Sequence, residues 1–362
     1  MGKSEVRLIV VLFSEMYGVR QKYQTMEKPF LEKGIKISII DISIIRPKIL
    51  RFLFSFLKGF LIPINCKSVI VRYTFSDPTF LVALILRWVL NKRTAFEVHS
   101  NHVNEFRMRG IIGLLFSKIE MVQSVIASVF VDSIICVSSS VEAAARKNFP
   151  FCRRYKVIEN GVVVDYQDSE KRDSYHRRPI IKKDIYQVLF VAANYSSWHG
   201  LEILLESVKI QQKLIDSNFV IKVVGKTSPE NIKKMDDLGI QYFQQVERTE
   251  VLQLIKSCDI CVDSLNLGAI GLKNSSSLKS REYIAYGKPI LGSALACCEW
   301  AEFTFIPTSR NIDFGALHNW IAATKVREIE MQQRGKNLYY KKLSWTNVAQ
   351  KYRNEIDVIE AQ

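Results

Sequence analysis

The stretch Ser275-Ser-Ser-Leu-Lys-Ser-Arg-Glu-Tyr-Ile-Ala-Tyr-Gly-Lys-Pro289 brings Lys279, Arg281 and Glu282 within four residues. Serines ahead of a helix supply N-cap oxygens, and the free backbone N–H groups of a helix start attract anions. The run Glu282–Tyr286 reads as helix. Gly287-Lys288-Pro289 stops it, and Ile290–Leu291 follows as a strand. Lys279 and Arg281 add positive charge, and a guanidinium can hold two phosphate oxygens at once. Glu282 repels phosphate, so it reads as an acceptor for sugar hydroxyls such as a ribose diol. Phosphate donors beside a diol acceptor describe a pocket for a nucleotide sugar. The bland alternative is the capped start of an ordinary surface helix.

The elements that must position these residues alternate between strand-like and helix-like runs, which implies an α/β architecture with parallel sheets. Expected strands are Arg7–Phe13, Ile35–Ile40, Ser68–Tyr73, Thr94–His99, Ser133–Val137 and Lys156–Ile158, with long helices over Pro78–Leu90 and Ile111–Phe130. The charged stretch Asp165–Asp184 lacks apolar periodicity and reads as a linker. A second series follows, with strands over Val188–Ala192, Phe219–Val224, Tyr242–Gln244, Asp259–Asp263 and Ile290–Leu291. At Thr346–Ile359 the residues Val348, Tyr352, Ile356 and Ile359 keep helical spacing. The expected fold is therefore two Rossmann-like domains facing a central cleft. Residues 1–164 with 346–362 form the first, 165–187 the linker, and 188–345 the second. The last helix is expected to cross back to the first domain, and ligands to bind at the carboxyl ends of the strands.

Charge is uneven. Residues 1–160 hold 24 Lys and Arg against 12 Asp and Glu, a net of +12 out of the chain's +15. That excess points to an anionic partner. No arginine-rich tract or RNP-like signature favours nucleic acid, so an anionic membrane surface is expected. Arg46, Lys48, Arg51 and Lys58 flank Phe52, Phe54, Phe56 and Phe60, a composition suited to a helix lying on lipid. A buried helix would read the same way. No signal peptide is visible, and Gly110–Val131, interrupted by Lys118 and Glu120, is not expected to span a bilayer. Seven cysteines without framework spacing fit a reducing cytosol.

With these motifs placed, the chain resembles retaining glycosyltransferases of the GT-B fold, family 4, and their bacterial surface-polysaccharide members. Four ordered stretches carry the resemblance: Phe96-Glu-Val-His99-Ser-Asn101; Ile135-Cys-Val-Ser138 with Val157-Ile-Glu-Asn160-Gly161-Val162; Phe190 to Gly200; and Ser277 to Pro289. It implies that His99 and Lys279 act in catalysis. It implies donor binding by Asn101, Asn194, Ser197, His199, Gly200, Asn274, Ser277, Lys279, Arg281 and Glu282. Family members often carry two glutamates eight positions apart in the last motif; here Asn274 stands eight before Glu282.

The implied reaction moves a sugar from a nucleotide-sugar donor to a lipid-linked glycan acceptor. No cofactor or metal is expected, since basic side chains and helix N-termini would hold the leaving diphosphate. The implied place is the inner face of the cell membrane. Rival readings are a GT-B-like nucleotide-sugar epimerase and a non-catalytic scaffold. A dinucleotide oxidoreductase is disfavoured because neither first strand is followed by GxGxxG.

Overall fold

The computed structural model describes residues 6–12, 17–41, 66–73, 87, 90–164, 185–274 and 276–362. It divides into two compact units. The first joins Met1–Gly161, Ile270–Leu272 and Ser344–Gln362; the second joins Val162–Ala269 and Lys273–Leu343.

In the first unit, β1 (Val6–Leu12), β2 (Ile35–Asp41), β3 (Ser68–Arg72), β4 (Arg93–Val98), β5 (Ser133–Cys136) and β6 (Tyr155–Val157) form one parallel sheet. Its order is β2-β1-β3-β4-β5-β6. Val69, Ile70 and Val71 of β3 are wholly buried, as a strand covered on both faces requires. Helix α1 (Tyr17–Glu32) follows β1. Helices α2 (His102–Arg107) and α3 (Gly110–Ala127) follow β4, and α4 (Ser139–Asn148) follows β5.

The second unit holds β7 (Tyr186–Asn194), α5 (Leu201–Ile210), α6 (Gln212–Asn218), β8 (Phe219–Lys226), α7 (Pro229–Asp237), β9 (Gln241–Phe243), α8 (Arg248–Ser257) and β10 (Ile260–Val262). It continues through α9 (Leu278–Ala285), β11 (Ile290–Leu291), β12 (Thr304–Phe305), α10 (Phe314–Lys325) and α11 (Glu328–Leu338). This sheet is also parallel, in the order β12-β11-β10-β7-β8-β9. Each unit is Rossmann-like, and the pair is the GT-B fold.

The last helix, α12 (Trp345–Glu360), belongs to the first unit. Ser344 caps it by accepting the Asn347 N–H. Its apolar face buries Val348, Tyr352, Ile356 and Ile359, and Phe30 of α1 packs on Tyr352 with ring centroids 5.1 Å apart. Polar ties fix the register: Ser133 Oγ donates to Glu355 Oε1 at 2.7 Å, and Arg154 Nη2 to Glu355 Oε2 at 3.0 Å.

Four expectations change. The helix placed at Glu282–Tyr286 begins at Leu278, because Ser277 is its cap. The helix placed at Ile111–Phe130 stands as α3, but the short α2 ahead of it was not anticipated; Gly110, at φ +76, opens α3. Helix α3 is also long and apolar enough to cross a membrane by length and composition, despite Lys118 and Glu120. Strand β12 and helix α11 were not anticipated. The expected membrane residues Arg46, Lys48, Arg51 and Lys58, and the linker stretch 165–184, lie outside the described residues.

Candidate functional site

The second sheet reverses its order between β7 and β10. Loops leaving neighbouring strands diverge at such a point and open a crevice at the strands' carboxyl ends. The loop after β7 and the loop after β10 are stitched together there. Leu265 N–H donates to the His199 carbonyl at 2.8 Å, and Asn266 N–H to the Trp198 carbonyl at 3.2 Å. Asn266 Nδ2 adds a bond to the Ser197 carbonyl at 3.1 Å. Gly200 starts α5 at φ +75, and a Cβ there would sit 2.8 Å from Leu265 Cβ. Only glycine meets both demands.

This stitching aims His199. Its Nδ1 accepts the Ser196 N–H at 3.0 Å. Burial, and then the Lys279 charge, pull its pKa down to about 3. The ring is therefore neutral, with its proton on Nε2 as a donor. Lys279, in the first turn of α9, places Nζ 3.4 Å from Asp263 Oδ1 and 5.1 Å from the Phe190 ring centroid. Burial lowers its pKa, and Asp263 opposes that shift. Ser277 Oγ accepts the Ser280 N–H at 3.1 Å and donates to the same Asp263 Oδ1 at 3.1 Å. Asp263 thus links the cap of α9 to the ammonium beside it. A buried cation held by one carboxylate, a neutral imidazole N–H and a capped helix start form a set of donors suited to an anion.

Two expected residues take different surroundings. Arg281, expected at a diphosphate, is 0% exposed; its Nε and Nη2 both donate to Ser276 Oγ, at 3.2 and 3.1 Å. The Arg281 side chain thus braces the loop at Ser276 from within. Glu282 is nearly buried, and Arg248 of α8 grips both its oxygens, with Nη1 3.0 Å from Oε2 and Nη2 against Oε1. Sequence reasoning missed Arg248 and Asp263, which lie 34 and 14 residues from Glu282 and Ser277.

The remaining expected residues of this unit are more peripheral. Asn194 ends β7, is exposed and pairs its backbone with Lys226. Ser197 is exposed. Asn274 bridges Leu295 through its backbone and is half-buried. A separate depression of about 710 Å³ beside α5 and α7, lined by Glu202, Lys209, Asn231 and Arg310, contains none of the expected residues.

In the first unit, His99 follows β4 and meets a cluster centred on Glu97. That carboxylate is fully buried and accepts from Lys22 Nζ at 3.1 Å, Tyr352 OH at 2.7 Å and Tyr23 OH. Burial pushes the Glu97 pKa up, but Lys22, His99 and Tyr23 outweigh it and hold the group well below the usual range. Burial, then the Lys22 charge, lower His99 to about 4, so its ring is neutral. Its Nε2 lies 3.2 Å from Glu97 Oε2. The same Nε2 stands 3.1 Å from the Tyr23 hydroxyl and 3.4 Å from Lys22 Nζ, so the ring has partners in either tautomer. Burial also lowers Lys22, to about 8, against the pull of Glu97. Asn101 caps α2 by accepting the Asn104 N–H at 3.4 Å, and its Nδ2 donates to the Ile270 carbonyl at 3.4 Å. Its side-chain polar atoms therefore have structural partners. The signal for this cluster was present in the sequence: Glu97 stands between the apolar Phe96 and Val98 of a buried strand. Among the described residues, no three His, Cys, Asp or Glu side chains converge to hold a metal ion.

No protein-family model matches the chain, and no curated protein does. Solved structures match in fold at low identity. Anabaena HepE in complex with UDP-glucose aligns with a TM-score of 0.65 at 12% identity, over 98% of this chain and 100% of that one. S. aureus MnaA with UDP aligns at 0.52 and 11%, over 98% and 96%. The pneumococcal O-GlcNAc transferase GtfA, in complex with UDP and GlcNAc, aligns at 0.51 and 10%, over 82% and 57%.

Proposed function

We propose that this chain is a retaining, metal-independent glycosyltransferase acting at the cytoplasmic face of the cell membrane. It moves a sugar from a nucleotide-sugar donor to a lipid-linked glycan during surface polysaccharide assembly. The observation that carries the reading is the meeting of Lys279, His199 and the cap of α9 where the second sheet reverses. That proteins of the same fold were solved with UDP and UDP-sugars supports it.

In this reading the bond between the sugar C1 and the diphosphate oxygen breaks, and negative charge grows on the diphosphate. Lys279 and His199 Nε2–H stabilise that charge. Because Lys279 is shielded from water, its attraction to the leaving group is stronger than at a surface. Glu282, oriented by Arg248, accepts the ribose hydroxyls. Retention lets the departing phosphate take the acceptor's hydroxyl proton as the new bond forms on the same face.

A thermal-shift panel with UDP, GDP, ADP and CMP tests the reading on wild type and Glu282→Ala. A ligand at ~100 times its Kd stabilises by about 2.7 kcal/mol. One nucleotide should shift wild type and leave the variant unmoved. No shift with any of the four would sink the reading. Release of the sugar as an epimer without an acceptor would replace transfer by epimerisation.

A further inference from the structure

Helix α3 is inverted. Its buried positions are Gly113, Ser117, Glu120, Ser124 and Ala127, one stripe of small and polar residues at spacings of four and three. Its outward faces carry Ile111 at 87% exposure, Ile112 at 70%, Leu115 at 60% and Val122 at 56%. Only 28% of this helix is buried, so it is no core helix. Nor is it free to leave the protein. A Cβ at Gly113 would fall 2.0 Å from the Phe106 carbonyl oxygen, which seats α3 on α2. Apolar faces in water are costly, and a contiguous patch of this kind marks a surface that meets another apolar phase.

The charges around the patch identify that phase. From Arg107 to Val131 the exposed ionisable residues are Arg107, Arg109 and Lys118, while the single acid, Glu120, faces inward. A second copy docking isologously would set these cations against their own kind, with no carboxylate to receive them. Anionic lipid headgroups would receive all three. We infer that α3 lies in the plane of an anionic membrane, its outward side chains among the acyl chains and Arg107, Arg109 and Lys118 at the phosphates. The inference rests on the reading above for the acceptor being lipid-linked, but its evidence and its test involve no sugar transfer.

The test is sedimentation of the full chain with vesicles of phosphatidylglycerol or of phosphatidylcholine. Wild type should bind the anionic vesicles at least tenfold more tightly. Leu115→Glu with Ile119→Glu should weaken that binding at least tenfold while the nucleotide-induced thermal shift stays unchanged. Arg107→Glu with Arg109→Glu should erase the lipid preference. Should the apolar pair prove unstable, an environment-sensitive dye on I112C in a Cys298→Ser background should shift to the blue on adding anionic vesicles. Unaltered vesicle binding by the apolar variant, an unmoved dye, or a wild-type dimer that the apolar variant converts to monomer would overturn the inference. Loss of nucleotide binding with vesicle binding intact would overturn only the transferase reading.

Discussion

Tyr352 donates its hydroxyl to Glu97 Oε1 across 2.7 Å, joining positions 255 residues apart. The acceptor is a charged, fully buried carboxylate, so losing one of its donors leaves it poorly solvated. Tyr352→Phe should cost about 1.5–3 kcal/mol, the range for a hydrogen bond to a charged group. Urea unfolding measures this directly. Cutting the chain before Trp345 should do far more and abolish the melting transition of the first unit. A transition that survives the cut unchanged would refute the role given to α12.

Acid should destabilise the protein through two histidines. His99 and His199 have folded pKa values lowered to about 4 and about 3. Below pH ~6.5 the unfolded chain binds protons that the native state refuses, so stability falls with pH. Glu97, with its depressed pKa, adds to the loss once the pH falls below the usual carboxylate range. His199→Asn should flatten the stability profile between pH 6 and 4.5 by up to one proton, about 1.4 kcal/mol per pH unit. Chemical denaturation at several pH values gives both slopes, and identical slopes would exclude His199 as a source.

Glu120 should act with the opposite sign. Burial raises its pKa to about 8, and the Tyr73 hydroxyl beside it only partly opposes the shift. Between its unfolded value near 4.5 and about 8, the native state holds a proton that the unfolded chain releases. Its contribution to stability therefore falls as pH rises through that window. Glu120→Gln keeps the shape and removes the slope. The variant should be the more stable protein at pH 8 and close to wild type at pH 5. Denaturation midpoints at the two pH values check it.

Lys279→Met should separate phosphate recognition from base recognition. If Lys279 meets the diphosphate, affinity for a nucleoside diphosphate should drop at least tenfold, while the much weaker binding of the nucleoside should hold. Such a loss is in proportion to a charge-assisted contact in a sheltered site. Titration calorimetry with both ligands distinguishes this from a general collapse of the pocket.

Strands were the most legible part of the chain. Ile35–Ile40 and Phe219–Val224 read as β-branched runs, and each stands within one residue or two of its expected bounds, as β2 and β8. The start of α9 was not legible, because three consecutive serines all qualify as caps and only packing selects Ser277. The burial of Arg281 against Ser276 was likewise not legible, since it depends on what packs around the loop. Arg248 meeting Glu282, and Asp263 meeting Lys279, join residues far apart in the chain, and no local pattern encodes such pairs. Periodicity exposed α3 as a helix but not its inversion, since a stripe reads the same whether it faces core or lipid.

The first unit is assembled from both ends of the sequence, with α12 supplying the partners of Glu97, Ser133 and Arg154. During synthesis, residues 1–161 emerge well before Ser344–Gln362. At ~5–20 residues per second the wait is roughly 10–40 s. Through that interval the Glu97 carboxylate lacks Tyr352, and the apolar groove meant for α12 stays open. The second unit, whose segments all precede Ser344, can close first. The nascent chain therefore matures in the reverse of its order of translation, and its earlier half must be kept from aggregating until the last helix arrives.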